Sequence, residues 1–168
     1  YPKPVAAAVN GVGVGVGGTI CGLVDFVFVA ESARLRCPFA ALGINPEAGS
    51  SYLFPLLMGW QRAHWFLLSA EYLDADQCVE AGLALRKFPD RAFLADVVGE
   101  MEKVARNAPS SLRETKALLR MAHGDALRKV IEAENEALKR MVGSAENQEA
   151  IRAFMEKRPP DFGAANGA

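Results

Sequence analysis

The chain has 168 residues, 51% hydrophobic and 23% charged, which suits one globular domain with a core of its own. Lys and Arg number 19 against 20 Asp and Glu, for a formal charge of -1, and no run of like charges marks a nucleic-acid or membrane patch. No stretch approaches the ~20 apolar residues of a membrane span, and no signal-peptide pattern opens the chain, so a soluble protein is expected.

PVAAAVN (4 to 10) is small and apolar without polar alternation, as in a strand covered on both faces. It starts with no element before it to pair with and is preceded by Tyr1, not Met, so the sequence reads as a fragment lacking an N-terminal part. GVGVGVGG (11 to 18) reads as a glycine loop, TICGLV as a short helical segment, DFVFVAES (25 to 32) as a second buried strand, and ARLRCP (33 to 38) as a short one. Helical spacing begins near Ser50 and Ser51, both candidate N-caps for YLFPLLMG, and QRAHWFLLSAEY continues as helix. Asp74 and Gln77 have capping-box spacing, and Gly82 stands where a helix ends. Leu94, Val97, Val98, Met101, Val104 and Ala105 mark one helix face. Ser111 with Glu114 is read as capping the next helix, through Met121. Leu127, Val130, Ile131, Leu138 and Met141 mark a third helix and Ile151, Phe154 and Met155 a fourth, before a loose tail.

Cys21, Cys37 and Cys78 form neither CxxC nor a Cys/His cluster, which argues against a disulfide framework and a zinc site and for a reducing compartment. His64 and His123 stand alone in helical stretches and are assigned no role. Gly13, Gly15 and Gly18 satisfy G-x-G-x-x-G. A dinucleotide-binding crossover needs a dozen or more residues, and only Thr19 to Val24 precede the next strand. A second reading makes the glycines a place where backbone approaches backbone or ligand, with free N–H groups near Gly17 turned toward an anion. A plain tight turn accounts for them equally well.

GINPEAGSSYLFP (43 to 55) places a single glutamate, Glu47, before an apolar helix. A loop glutamate is by default a solvated surface residue. Taken in order, however, KPVAAAVNG, the glycine loop, CGLVDFVFVAESARLRCPFAALGINPEAGSSYLFP and LSAEYLDADQCVEAGLALRKF resemble the enoyl-CoA hydratase/isomerase, or crotonase, superfamily. The likeness runs from about Pro2 to Phe162. It implies an α/β fold: the C-terminal part of a crotonase-like ββα spiral with its active-site loop over 1–90, trailing α-helices for trimerisation over 91–162, and a loose tail over 163–168.

What the resemblance implies for chemistry is specific. Family hydratases carry two carboxylates at positions that here hold Thr19 and Phe39, so hydration is disfavoured. PFAALGINPEAGSSYLFP instead resembles the peroxisomal-type Δ3,Δ2-enoyl-CoA isomerases, in which one glutamate at the Glu47 position shuttles the proton, and desolvation by neighbours such as Phe39, Tyr52, Leu53 and Phe54 would make it a better base. The backbone N–H of Val16 carries over as one oxyanion donor, with Gly15 and Gly17 beside it at the acyl-CoA site. Phe39 carries over as an acyl-pocket candidate, and Phe154 and Lys157 of FMEKRPPDF as the aromatic and lysine at the adenine and phosphate end of CoA. Coenzyme A is then part of the substrate, with no separate cofactor and no metal. The expected assembly is a homotrimer or dimer of trimers without nucleic-acid or membrane partners. The expected setting is fatty acid β-oxidation in a bacterial cytoplasm, or in a peroxisome or mitochondrial matrix. A hydratase-like enzyme and a catalytically silent CoA-binding module are the competing readings.

Overall fold

The computed structural model describes residues 1–166. Its first half sends successive strands alternately to two small sheets. β1 (Ala6–Val9) turns at Asn10 and Gly11 into β2 (Val12–Val14), and β3 (Phe26–Ala30) turns into β4 (Arg34–Arg36). β3 lies parallel to β1, with Ala6 opposite Phe26 and Val9 opposite Val29, while β4 lies parallel to β2, with Val12 opposite Arg34. One ββ turn is therefore stacked on another. β5 (Tyr72–Asp74) adds antiparallel to β4, and β6 (Arg86–Phe88) adds parallel to β3. The sheet orders are β1-β3-β6 and β2-β4-β5.

Side chains of β3 alternate between two cores, as the period of a strand requires. Val27 and Val29 enter the main cluster with Leu35, Cys37, Phe54 and Phe66, while Phe28 and Ala30 pack with Phe93 and Val97. Both faces are covered, which explains the unbroken apolar run FVFVA.

The helices are α1 (Val16–Thr19), continued by a 3-10 turn at Ile20–Gly22, α2 (Ser50–Met58), α3 (Trp60–Ser69) and α4 (Ala75–Glu80). They are followed by α5 (Phe93–Ala105), α6 (Pro109–Met121), α7 (Gly124–Met141), α8 (Ala145–Glu156) and α9 (Phe162–Asn166). Among the described residues no helix is long and apolar enough to cross a membrane. The capping box forms as read: Gln77 N–H donates to Asp74 Oδ1 and Asp74 N–H to Gln77 Oε1, both at 2.9 Å.

Several elements differ from the sequence reading. Val12–Val14, placed in a glycine loop, is a strand because its backbone pairs with Arg34–Arg36. The helix expected to run through Tyr72 stops at Ser69, with Ala70 left-handed at φ 56°. Arg36 explains the stop: its Nε donates to Ala70 O at 2.6 Å and its guanidinium lies 5.2 Å from the Tyr72 ring centre, drawing this segment onto β4. Helix α6 starts at Pro109, not behind Ser111 and Glu114, since proline has no N–H to satisfy at a first helical position and its φ is already helical. The expected loose tail contains α9; residues 167–168 of that tail lie outside the described residues.

Glu149 of α8 holds α9 in place. Its buried carboxylate accepts from Arg158 at 2.5 Å, Arg152 at 2.6 Å and the Asp161 N–H at 3.0 Å. The Arg158 bond, then those from Asp161 and Arg152, hold its carboxyl down to about 2 from the ordinary 4.5. Above the ordinary value the group is charged in folded and unfolded chains alike, and its contribution is complete. As pH falls from about 4.5 toward 2, the unfolded chain takes up the proton first and stability is lost. Thermal melts across this window are expected to fall in the wild type and to show a shallower slope in Glu149→Gln.

Candidate active site

The loop carrying Glu47 is held in an unusual backbone conformation. Ala48 and Gly49 are both left-handed, at φ 60° and 71°. For Ala48 this costs about 1–2 kcal/mol. A side chain at Gly49 would be strained by the backbone, and its Cβ would lie 2.3 Å from Leu127 Cδ1, which would have to move. The turn closes through Ser50, whose N–H and hydroxyl both donate to Glu47 O, at 3.1 and 2.7 Å.

What holds the loop from outside is Glu134 of α7, 7% exposed. Its Oε2 accepts the Gly49 N–H at 2.6 Å, and its Oε1 accepts the Ser51 N–H at 3.1 Å and the Ser51 hydroxyl at 2.5 Å. The carboxylate thus satisfies backbone donors at the start of α2, where a helix has no acceptors of its own. Asn45 adds a second tie, donating to Pro46 O at 2.7 Å and Glu134 O at 3.0 Å.

The Glu47 side chain turns toward the glycine segment. Thr19 Oγ1 donates to Glu47 Oε1 at 2.5 Å, and Thr19 is fully buried at 0% exposure. Burial, with added repulsion from Cys21 and Glu47, pushes the Cys37 thiol up to about 12. Helix α1 is a single turn, about 6 Å long, beginning with Val16 and ending with Thr19. The Gly18 and Thr19 N–H groups donate to Gly15 O, whereas those of Val16 and Gly17, at the first two helical positions, have no acceptor within the helix. The loop sits tightly on the sheet: a Cβ on Gly13 would stand 2.6 Å from Leu35 Cδ2 and 2.8 Å from Gly17 O.

The structure therefore brings Glu47 within one helical turn of Gly15, Val16 and Gly17. It also speaks against the dinucleotide reading, because the connection from β1 to parallel β3 passes through β2 of the second sheet and a single α-helical turn, where a dinucleotide-binding unit has one strand leading directly into a long helix. Phe39 is 5% exposed and belongs to the main core, as does Phe54. Leu53 lines a cavity of about 430 Å³ with Leu56, Leu57, Leu119, His123 and Leu127, and Leu127 also touches the Gly49 position. Tyr52 points its hydroxyl at His123 Nδ1, 2.9 Å away.

Phe154 and Lys157 lie toward the C-terminal end of α8. Phe154 is 77% exposed, about 10 Å along α8 from Asn147, where that helix meets Gly43 and donates to Leu42 O. Lys157 is left-handed at the C-cap, φ 54°, one residue beyond the end of α8.

Two residues of the site escaped sequence reasoning. Thr19 was noted only for lacking a carboxylate. Glu134 had a signal: with Ile131 three residues before and Leu138 four after, it interrupts the apolar stripe of α7, and a charge in such a stripe needs a buried partner.

Comparison with known proteins accords with this arrangement. The enoyl-CoA hydratase/isomerase family model matches residues 1–165. Similar proteins include enoyl-CoA delta isomerase 2 of Rattus norvegicus, 36% identical over 95% of this chain and 41% of that one. Another is 2,3-dehydroadipyl-CoA hydratase of Escherichia coli K12, 34% identical over 96% of this chain and 64% of that one. A solved enoyl-CoA hydratase/isomerase from Pseudoalteromonas atlantica T6c superposes with a TM-score of 0.92 at 37% identity, covering 96% of this chain and 65% of the other. The chain belongs to the enoyl-CoA hydratase/isomerase family, and its fold is the α/β crotonase type. It spans less than two thirds of these relatives' lengths.

Proposed function

We propose that the protein is a Δ3,Δ2-enoyl-CoA isomerase acting on acyl-CoA in fatty acid β-oxidation. The observation that carries the reading is the Thr19–Glu47 hydrogen bond, which holds one carboxylate against the helix that begins at Val16. Glu47 removes a C2 proton from a 3-enoyl thioester, and the C–H electron pair becomes the C1=C2 bond of a dienolate. Charge moves to the thioester oxygen, where the Val16 N–H, flanked by Gly15 and Gly17, stabilises it by about 2.7–4 kcal/mol. The carbonyl then re-forms, the C1=C2 pair becomes C2=C3, and the C3=C4 pair takes the proton from Glu47 at C4. One carboxyl between C2 and C4 suffices.

Relatives named as isomerase and as hydratase lie at similar identity, so the residues must decide between them. Hydration requires a second carboxylate to hold water. Thr19 and Phe39 supply none, and Glu134, the loop's other carboxylate, is committed to Gly49 and Ser51. Binding of CoA by Phe154 and Lys157 and of the acyl group beside Phe39 belongs to the same reading on resemblance alone. A homotrimer or dimer of trimers is supported by apolar side chains presented outward, Leu118, Leu119 and Met121 on α6 and Ile151 and Met155 on α8; light scattering showing only monomer contradicts it. The functional test supplies the intact protein with 3-enoyl-CoA and, separately, 2-enoyl-CoA. Rapid formation of 2-enoyl-CoA with slow hydration is expected, and hydration as fast as isomerisation overturns the reading.

A further inference from the structure

We propose that Thr19 is the positioning residue for the proton-carrying carboxylate, a role that rests on Glu47 being that carrier. A threonine hydroxyl inside a helix ordinarily donates to the carbonyl four residues back. Here that carbonyl, Gly15 O, already accepts from the N–H groups of Gly18 at 2.8 Å and Thr19 at 3.0 Å. The hydroxyl has one proton to give, and it goes to Glu47 Oε1 at 2.5 Å.

Three consequences follow from this single bond. Oε1 commits one of its two lone pairs to Thr19, which favours Oε2 as the oxygen that takes the proton from C2 and returns it to C4. The carboxyl is held beside α1, close to the start of the helix where the thioester oxygen binds in the isomerase reading. The bond is also stiffly held, because Thr19 is fully buried and its branched Cβ restricts rotation about χ1. A hydroxyl at a position where family hydratases carry a carboxylate thus serves to aim the one carboxylate that remains.

The test compares Thr19→Val, Thr19→Ala, Thr19→Ser and Glu47→Gln in the intact protein. Valine keeps the shape and removes the hydroxyl; its kcat for 3-enoyl-CoA is expected to fall about tenfold, the effect of losing one hydrogen bond to a charged group, with KM nearly unchanged. Alanine gives the same loss without any risk of crowding, and serine restores most of kcat. Combining Thr19→Val with Glu47→Gln costs no more than Glu47→Gln alone. Wild-type kcat in the valine and alanine variants, a serine variant no better than they are, or an additive loss in the double variant overturns the positioning role. If Glu47→Gln abolishes turnover while Thr19→Val leaves kcat intact, the positioning role alone fails. If Glu47→Gln turns over at the wild-type rate, the isomerase reading fails with it.

Discussion

Glu47→Gln is expected to slow conversion of 3-enoyl-CoA to 2-enoyl-CoA by at least about 100-fold, the scale of losing a general base. The amide has the size of the carboxylate, and its carbonyl still accepts the Thr19 hydroxyl proton that Oε1 accepts in the wild type. It cannot take a proton from carbon. Affinity for an unreactive acyl-CoA, measured by calorimetry, should stay close to wild type, so the loss falls on kcat. A variant that isomerises at the wild-type rate makes Glu47 an ordinary loop residue. A wild-type protein that binds acyl-CoA without isomerising it favours the catalytically silent CoA-binding module.

Glu134→Ala is expected to be the most damaging single change to stability near the site, costing about 2–4 kcal/mol. The carboxylate accepts three hydrogen bonds from Gly49 and Ser51. Without it the buried Gly49 N–H has lost its acceptor, and the left-handed pair at Ala48 and Gly49 loses the tie that offsets its strain. For a chain of this size the melting temperature should drop by roughly 5–15 °C. Isomerisation should fall as well, since Glu47 lies on the loosened turn. Glu134→Gln retains one acceptor but turns its NH₂ toward N–H or O–H donors, so an intermediate loss is expected. An unchanged melt in Glu134→Ala contradicts the account of how the loop is held.

The legible parts of the fold were those whose signal is local. PVAAAVN and DFVFVAES carry the apolar density of strands, though only the second is covered on both faces, β1 being half-buried with Ala8 exposed, and Asp74 with Gln77 carries a capping box, because each pattern is complete within a few residues. β5 and β6 were missed for the opposite reason: three-residue strands have too little sequence for periodicity. They exist because Tyr72–Asp74 finds β4 and Arg86–Phe88 finds β3. The turn at Ala70 was hidden likewise, since Arg36, 34 residues away, draws the chain off its helical course.

Glu47 was singled out through its surroundings in sequence, but the two residues that hold it and its loop were not. Thr19 lies 28 residues from Glu47, and Glu134 lies 85 residues from Gly49. Only the fold brings them together.

The central claim is that one carboxyl carries a proton from C2 to C4, and the most direct measurement follows that proton. 3-Enoyl-CoA bearing deuterium at C2 is converted in ordinary water, and the product is analysed by mass spectrometry and NMR at the earliest turnover. The account predicts deuterium at C4 of the 2-enoyl-CoA formed by the wild type, with no such product from Glu47→Gln. Product carrying only solvent protons at C4, with the C2 label released entirely to water, would contradict transfer through Glu47 alone.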